Sequence, residues 1–253
     1  MNTKYFIYIP SKGRSSNCLT AKNLITDNVT NFKIVIEPQD LDNYSQLFSN
    51  KQLLSLNQNN KGIGYSRQFI KEYAKEKKQT FHWQLDDDLN FKKRINNKNV
   101  KFNSHELLNE VEDYIDNYTN IMLAGLRNSV FAWTQTKPIS LNKQIASCVL
   151  LNSFIESRYR SNTVEDIDFS MQVLTEGYCS IIFNELLYDN PPPARQKGGN
   201  STVHYKNITS YQQNFIKEWG DDFKIEYLKN KSTPSRLRPS QVWRKFKQQP
   251  LKK

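Results

Sequence analysis

Residues 1–88 alternate β-branched and aromatic runs with amphipathic stretches, and the last run ends in three consecutive aspartates. This alternation restricts the fold more than any other feature. Residues 4–9 (KYFIYI), 32–37 (FKIVIE), 53–56 and 80–85 (TFHWQL) have strand composition, and Pro10 and Pro38 close the first two. Residues 17–27, 40–49 and 64–77 read as helices. Leu41, Tyr44 and Phe48 share one face of the second, and Phe69, Ile70, Tyr73 and Ala74 one face of the third. Strands alternating with helices predict an α/β fold, a parallel Rossmann-like sheet covered by helices on both faces. Ligands bind such sheets at the carboxyl ends of the strands, where loops 10–14, 37–39 and 86–88 would gather.

The second half predicts a helix over 104–119 capped by Ser104, strands over 121–126 and 145–152, and a helix over 164–176 ended by Gly177. A strand over 178–183, a loop from Pro191 to Gly199 and a helix over 208–219 follow. There is no internal repeat or low-complexity linker. The organisation expected is a main domain, residues 1–205, and a basic helical extension, 206–253, packed on it. No apolar run approaches the ~18 residues of a transmembrane helix, and the apolar start is too short for a signal peptide. Cys18, Cys148 and Cys179 are odd in number and widely spaced, which fits neither a disulfide framework nor a zinc site. A reducing, cytoplasmic location is expected.

Charge is unevenly spread. The chain carries 36 basic and 25 acidic residues, and residues 191–253 alone hold 14 of the first and 4 of the second. A smaller basic block, Lys92, Lys93, Arg94, Lys98 and Lys101, follows the aspartates. Such segments suit a polyanion, because each cation placed on a phosphate releases a counterion; a solvated basic face has the same composition. Arg236, Arg238, Trp243, Arg244, Lys245, Phe246 and Lys247 interleave aromatic with basic groups, as surfaces that track a nucleic-acid backbone do. A terminal helix with Trp243 and Phe246 on the core would look alike.

Three clusters carry chemistry. Asp86-Asp87-Asp88 at a strand end cannot all be buried and ionised without a cation. Asp86 and Asp88 would share a face and suit Mg²⁺ or Mn²⁺; an acidic turn capping the next helix is the plainer reading. Glu165-Asp166-x-Asp168 opens a helix, where carboxylates meet the dipole favourably; one of them could instead be a general base for an acceptor hydroxyl. Finally, Gly198-Gly199 permits close backbone approach, Arg195 or Lys197 could hold a diphosphate, and His204 is either a plain surface or core residue or a further metal ligand.

In order, Gly62-x-Gly64-x-x-Arg67, a helix, and a strand ending in Asp86-x-Asp88 resemble the nucleotide-sugar half of GT-A glycosyltransferases. Glu165-Asp166 followed by a helix resembles their acceptor-side motif. Ile9-Pro-Ser-Lys-Gly-Arg14, Val35-Ile-Glu-Pro38, Tyr44, Arg67 and Gly198-Gly-Asn200 resemble more closely the TET-associated glycosyltransferases of bacteriophages, over about residues 4–205. That family is associated with sugar transfer to 5-hydroxymethylpyrimidines in DNA.

The resemblance implies a UDP-sugar donor, of glucose or arabinose class, and a divalent cation on Asp88, Asp86 and His204. It implies donor contacts from Pro10, Arg14, Glu37, Arg67, Asp86, Asp87, Arg195, Lys197, Gly198 and Gly199. Asp166, with Glu165 beside it, would be the base. Lys92, Lys93, Arg94, Arg236, Arg238, Arg244 and Lys245 would hold hydroxymethylated DNA. A GT-A enzyme acting on a cell-surface glycan or protein, and a non-enzymatic nucleic-acid-binding protein, are the rival readings.

Overall fold

Strand β1 (Phe6–Ser11) is buried over all but its first residue, because both of its faces are covered. Ile7 and Ile9 pack on one side with α1 (Leu19–Thr26) and α4 (Ser104–Ile115), whereas Tyr8 packs on the other with α3 (Ile63–Glu76). A computed structural model describes residues 2–191, 198–199, 201–220, 223–227, 235–238 and 242–253, with 201–206 and 238 as backbone alone.

The remaining strands are β2 (Phe32–Ile36), β3 (Leu53–Ser55), β4 (Phe81–Leu85), β5 (Asn90–Ile95), β6 (Lys98–Lys101), β7 (Ile121–Asn128), β8 (Ile139–Leu141), β9 (Cys148–Asn152) and β10 (Cys179–Asp189). They form one sheet in the order β3-β2-β1-β4-β9-β7-β10-β5-β6, with β8 on β10. β1 to β4 pair in parallel, as expected from the alternation, and so do β7 and β10. β9 runs antiparallel between β4 and β7, and β5 and β6 form an antiparallel hairpin at the edge. The sheet is therefore mixed where a parallel one was predicted. Burial on both faces makes Val149–Leu151 as apolar as a parallel strand.

Helix α5 (Glu165–Thr175) covers the second half of the sheet on the α3 side, packing Phe169 and Val173 on Leu123, Val149, Leu151 and Ile182. It ends as expected at Gly177, whose φ is +88°. The Gly177 and Tyr178 amides close a Schellman motif on Leu174 and Val173. The α4 cap differs: Asn103, not Ser104, accepts from the Glu106 amide, while the Ser104 hydroxyl donates to Asp27 at 2.7 Å.

Two features place the chemistry. The sheet order reverses between β1 and β4, because β2 and β3 extend one way from β1 and β4 lies on its other side. Their carboxyl ends thus flank a topological switch point, where α/β sheets hold ligands. Gly125 of β7 supplies the second: a Cβ there would stand 2.3 Å from Ile145 and 2.5 Å from the Cys148 carbonyl, so the 142–147 loop crosses directly over it.

Beyond residue 200 lie α6 (Ser201–Trp219), longer than the helix expected over 208–219, and a hairpin of β11 (Lys224–Tyr227) with β12 (Ser235–Arg238). Helix α6 spans position 205, so the expected boundary falls inside a helix, and the extension is not helical throughout. Phe215, Phe223, Leu237 and Trp243 pack on Ile167, Met171 and Leu174 of α5. No helix among the described residues is long and apolar enough to cross a membrane. The three cysteines are buried and free.

Candidate active site

The loop after β1 is fixed from the neighbouring strand. Short helix α2 (Leu41–Ser45) follows β2, and the Tyr44 hydroxyl accepts from the Arg14 amide at 3.1 Å. Asp40 accepts from the Gly13 amide at 3.0 Å. Pro10 itself is buried in β1 opposite Val35, behind this loop. Glu37, expected at the nucleotide, accepts from Lys12 (3.0 Å), Gln39 (2.5 Å) and the Asn60 amide (2.9 Å), and so ties three loops together.

The aspartates divide differently from the expected pattern. The strand ends at Leu85, so alternation does not continue through the triplet. Asp87 and Asp88 share Arg14, whose Nη1 donates at 2.7 and 3.3 Å. Asp86 turns to the other side and accepts from Arg67 Nη2 at 2.6 Å. The pairing of Asp86 with Asp88 on one face is thus corrected to Asp87 with Asp88. Burial, then Asp86 and Asp87, push the Asp88 carboxyl up to about 6, against the pull of Arg14. Burial also raises Asp87, and Arg14 and Ser11 oppose the rise.

Arg67 lies on α3, whose first turn approaches the Arg160 carbonyl so closely that Gly64 has no room for a Cβ (2.8 Å). Its guanidinium is 5% exposed, bonds Asp86, and stands 4.0 Å from Glu165. Burial and then Asp166 push the Glu165 carboxyl up to about 7, with Arg67 pulling it down. One buried cation therefore joins the two acidic clusters.

Within the second cluster, Asp166 Oδ2 accepts from Gln144 at 2.7 Å and Oδ1 from the Ile167 amide at 2.8 Å. Asp168 is fully buried and accepts from Arg160, Gln172 and Trp219, which makes it the anchor between α5 and α6. Glu165 and Asp166 stand at the start of α5, with Glu165 beside Arg67.

Gly198 and Gly199 do approach a backbone closely, but it is the chain's own. The Gly199 amide donates to the Lys12 carbonyl at 2.8 Å, and a Cβ on Gly198 would stand 2.6 Å from the Gly13 carbonyl. A Cβ on Gly199 would meet the Arg14 guanidinium at 2.6 Å. Arg195 and Lys197 lie outside the described residues, as do the side chains of His204, on α6, and Arg238, on β12.

The basic block after Asp88 forms the β5–β6 hairpin, where Lys92 pairs with Asp189 at 2.7 Å and Lys93 with Glu110. Arg94 donates to Asn97 and Asn99, and Arg236 pairs with Glu226. These cations are partly committed within the fold. Arg244 and Lys247 instead lie near Lys143, as does Arg127, and the sequence reading singled out neither Lys143 nor Arg127. Residues 127, 143 and 244–247 are far apart in the chain, and no spacing announces their meeting.

A family model described as TET-Associated Glycosyltransferase matches residues 5–199. No curated protein sequence matches significantly. Among solved structures, the chain is similar to apo-UDP-glucose pyrophosphorylase at 8% identity and a TM-score of 0.46, covering 74% of this chain and 91% of that one.

Proposed function

The chain belongs to the TET-associated glycosyltransferases, and from that premise we propose that it transfers a sugar from a UDP-sugar to a 5-hydroxymethylpyrimidine, such as 5-hydroxymethylcytosine, in DNA. It is a glycosyltransferase with a GT-A-like α/β fold, and the family implies a nucleotide-sugar donor and a DNA acceptor. The observation that carries the finer reading is Arg67. It links the Asp86 side of the switch-point crevice to Glu165 beside Asp166, so donor and base would face each other across one guanidinium.

In this reading the loop from Ser11 to Arg14, held by Tyr44 and Asp40, frames the donor, and Gly198-Gly199 closes over it. Asp166, oriented by Gln144 and the Ile167 amide, takes the proton of the acceptor hydroxymethyl group as its oxygen attacks the anomeric carbon. The carbon–oxygen bond to UDP breaks in the same displacement if the anomeric centre inverts.

A divalent cation would be held by Asp88, a hard oxygen donor whose carboxyl is raised by burial and by its acidic neighbours, with Asp86 reaching it only on leaving Arg67. Among the described residues no three acidic, histidine or cysteine side chains form a ready cage, so diphosphate oxygens and water would complete the shell. When bound, Mn²⁺ or Mg²⁺ would supply Lewis-acid stabilisation of the leaving UDP.

The test incubates the protein with Mn²⁺ or Mg²⁺, a panel of UDP-sugars, and DNA with or without 5-hydroxymethylcytosine. UDP release and the mass of digested nucleosides are read. A hexose- or pentose-sized increment confined to the hydroxymethylated base, and lost in Asp88→Asn, is expected. UDP release with unmodified nucleosides would leave a glycosyltransferase with another acceptor.

A further inference from the structure

A cavity of about 300 Å³ opens on the α5 side of the sheet, lined among others by Arg127, Gln135, Ser140, Lys143, Gln144 and Trp243. It is distinct from the β1–β4 crevice, but one wall touches the proposed base: Gln144 donates to Asp166 at 2.7 Å.

Its charge is unusual. Arg127 donates to Asn184 from Nε and Nη2 at 2.9 and 2.7 Å and to the Ser140 hydroxyl at 3.1 Å, all neutral groups. Burial lowers the Lys143 ammonium, and Arg244, Arg127 and Lys247 lower it further. Among the described residues, none of these four cations pairs with a carboxylate. The fold assembles them deliberately in one place. Ser180 clamps the Lys143 backbone on both sides at 2.9 and 2.7 Å, and Asn142 holds the Phe246 and Gln248 carbonyls, which brings Arg244 and Lys247 alongside. Two cations in the wall of a hollow, two more near Lys143, and neutral hydrogen-bonding groups between them suit an anion.

An exposed aromatic turn leads into the cavity wall. A 3₁₀ turn, Ser129–Thr134, follows β7 and leads directly to Gln135 in the wall. It leaves Phe131 58% and Trp133 74% exposed. β7 runs parallel to β10 and in the direction of β4, so this turn stands at the same edge of the sheet as the aspartates. Exposed aromatic rings beside unpaired cations match single-stranded nucleic acid, whose bases stack while its phosphates seek charge.

We propose that the cavity and the Phe131–Trp133 turn are the acceptor-strand site: a DNA phosphate enters the cavity, and a base stacks on the turn. The assignment rests on the DNA-acceptor reading above and says where that acceptor is held. A base inside a duplex cannot reach Asp166, so the strand is engaged with its target base unstacked.

The test is binding, independent of turnover. A fluorescein-labelled single-stranded oligodeoxynucleotide containing 5-hydroxymethylcytosine is titrated with full-length protein by anisotropy, over about 50–200 mM KCl. Lys143→Gln/Arg244→Gln should weaken binding and reduce the salt slope by about 1.4, at about 0.7 per phosphate contact on single strands. Trp133→Ala should weaken binding about 5- to 150-fold, the worth of one stacked base, with the slope unchanged. Trp133 is exposed, so its removal does not threaten the fold. Wild-type affinity and slope in both variants, beside a wild type that binds and glycosylates DNA, would overturn the site and leave the function standing. A wild type that does not bind the oligonucleotide would overturn both.

Discussion

Arg67 Nη2 donates to Asp86 at 2.6 Å from a side chain only 5% exposed. The same guanidinium faces Glu165, so α3 fixes the relative position of β4 and the start of α5. Arg67→Lys keeps the charge and loses the planar fork. Losing one charged hydrogen bond is worth about 1.5–3 kcal/mol, or about 10- to 150-fold in rate. The expected result is a fall of that size in kcat, with donor KM changed less; an unchanged kcat would remove Arg67 from the link.

Arg14→Ala should destabilise the protein even without substrate. It leaves Asp87 ionised and buried beside Asp88, and breaking a buried pair from one side costs about 3–5 kcal/mol. Arg14→Ala/Asp87→Asn should recover most of that loss. Urea unfolding of the two variants measures the coupling, and equal stabilities would mean that the pair contributes little.

Glu165 predicts a pH dependence. Its folded pKa, about 7, lies above its ordinary value of 4.5. Protonation therefore favours the folded state, and stability is lost as pH rises from about 4.5 through 7. Glu165→Gln removes that loss, by on the order of 3 kcal/mol at pH 8 and little at pH 5. Thermal unfolding at the two pH values should show the variant more stable than wild type only at the higher, while transfer activity falls.

Gly198→Ala tests the contact between the late loop and Arg14. At φ +83° and 2.6 Å from the Gly13 carbonyl, a methyl group must push the segment away. Weaker UDP binding by calorimetry is expected with an unfolding temperature close to wild type. Wild-type UDP affinity would show that the glycine pair does not close over the donor.

The sequence revealed those elements whose burial is one-sided or framed by turns. β1, β2, β4, α3 and α5 appear close to the expected positions because their apolar periodicity is that of packed faces. The β5–β6 hairpin escaped because KKRINNKN buries little and reads as a charged surface. Its signal was there in Asn96-Asn97, whose φ values of +48° and +61° are those of a tight hairpin turn. Site residue types were legible, but not their partners. Periodicity could not say that β4 stops at Leu85, which sends Asp86 to Arg67 and Asp87 to Arg14. Nor could it reveal Lys143 beside Arg244, a neighbourhood made by tertiary folding.

The 142–147 loop gains a further meaning from its two ends. Ser147 accepts from the Asp86 amide at 2.7 Å, and Gln144 reaches Asp166 at the same distance. Pressed flat over Gly125, the loop acts as a caliper between the Asp86 end of β4 and the proposed base, Asp166. Its length, more than its side chains, sets that gap. Anyone grafting this active site onto another sheet would have to copy the loop residue for residue, together with a glycine beneath it.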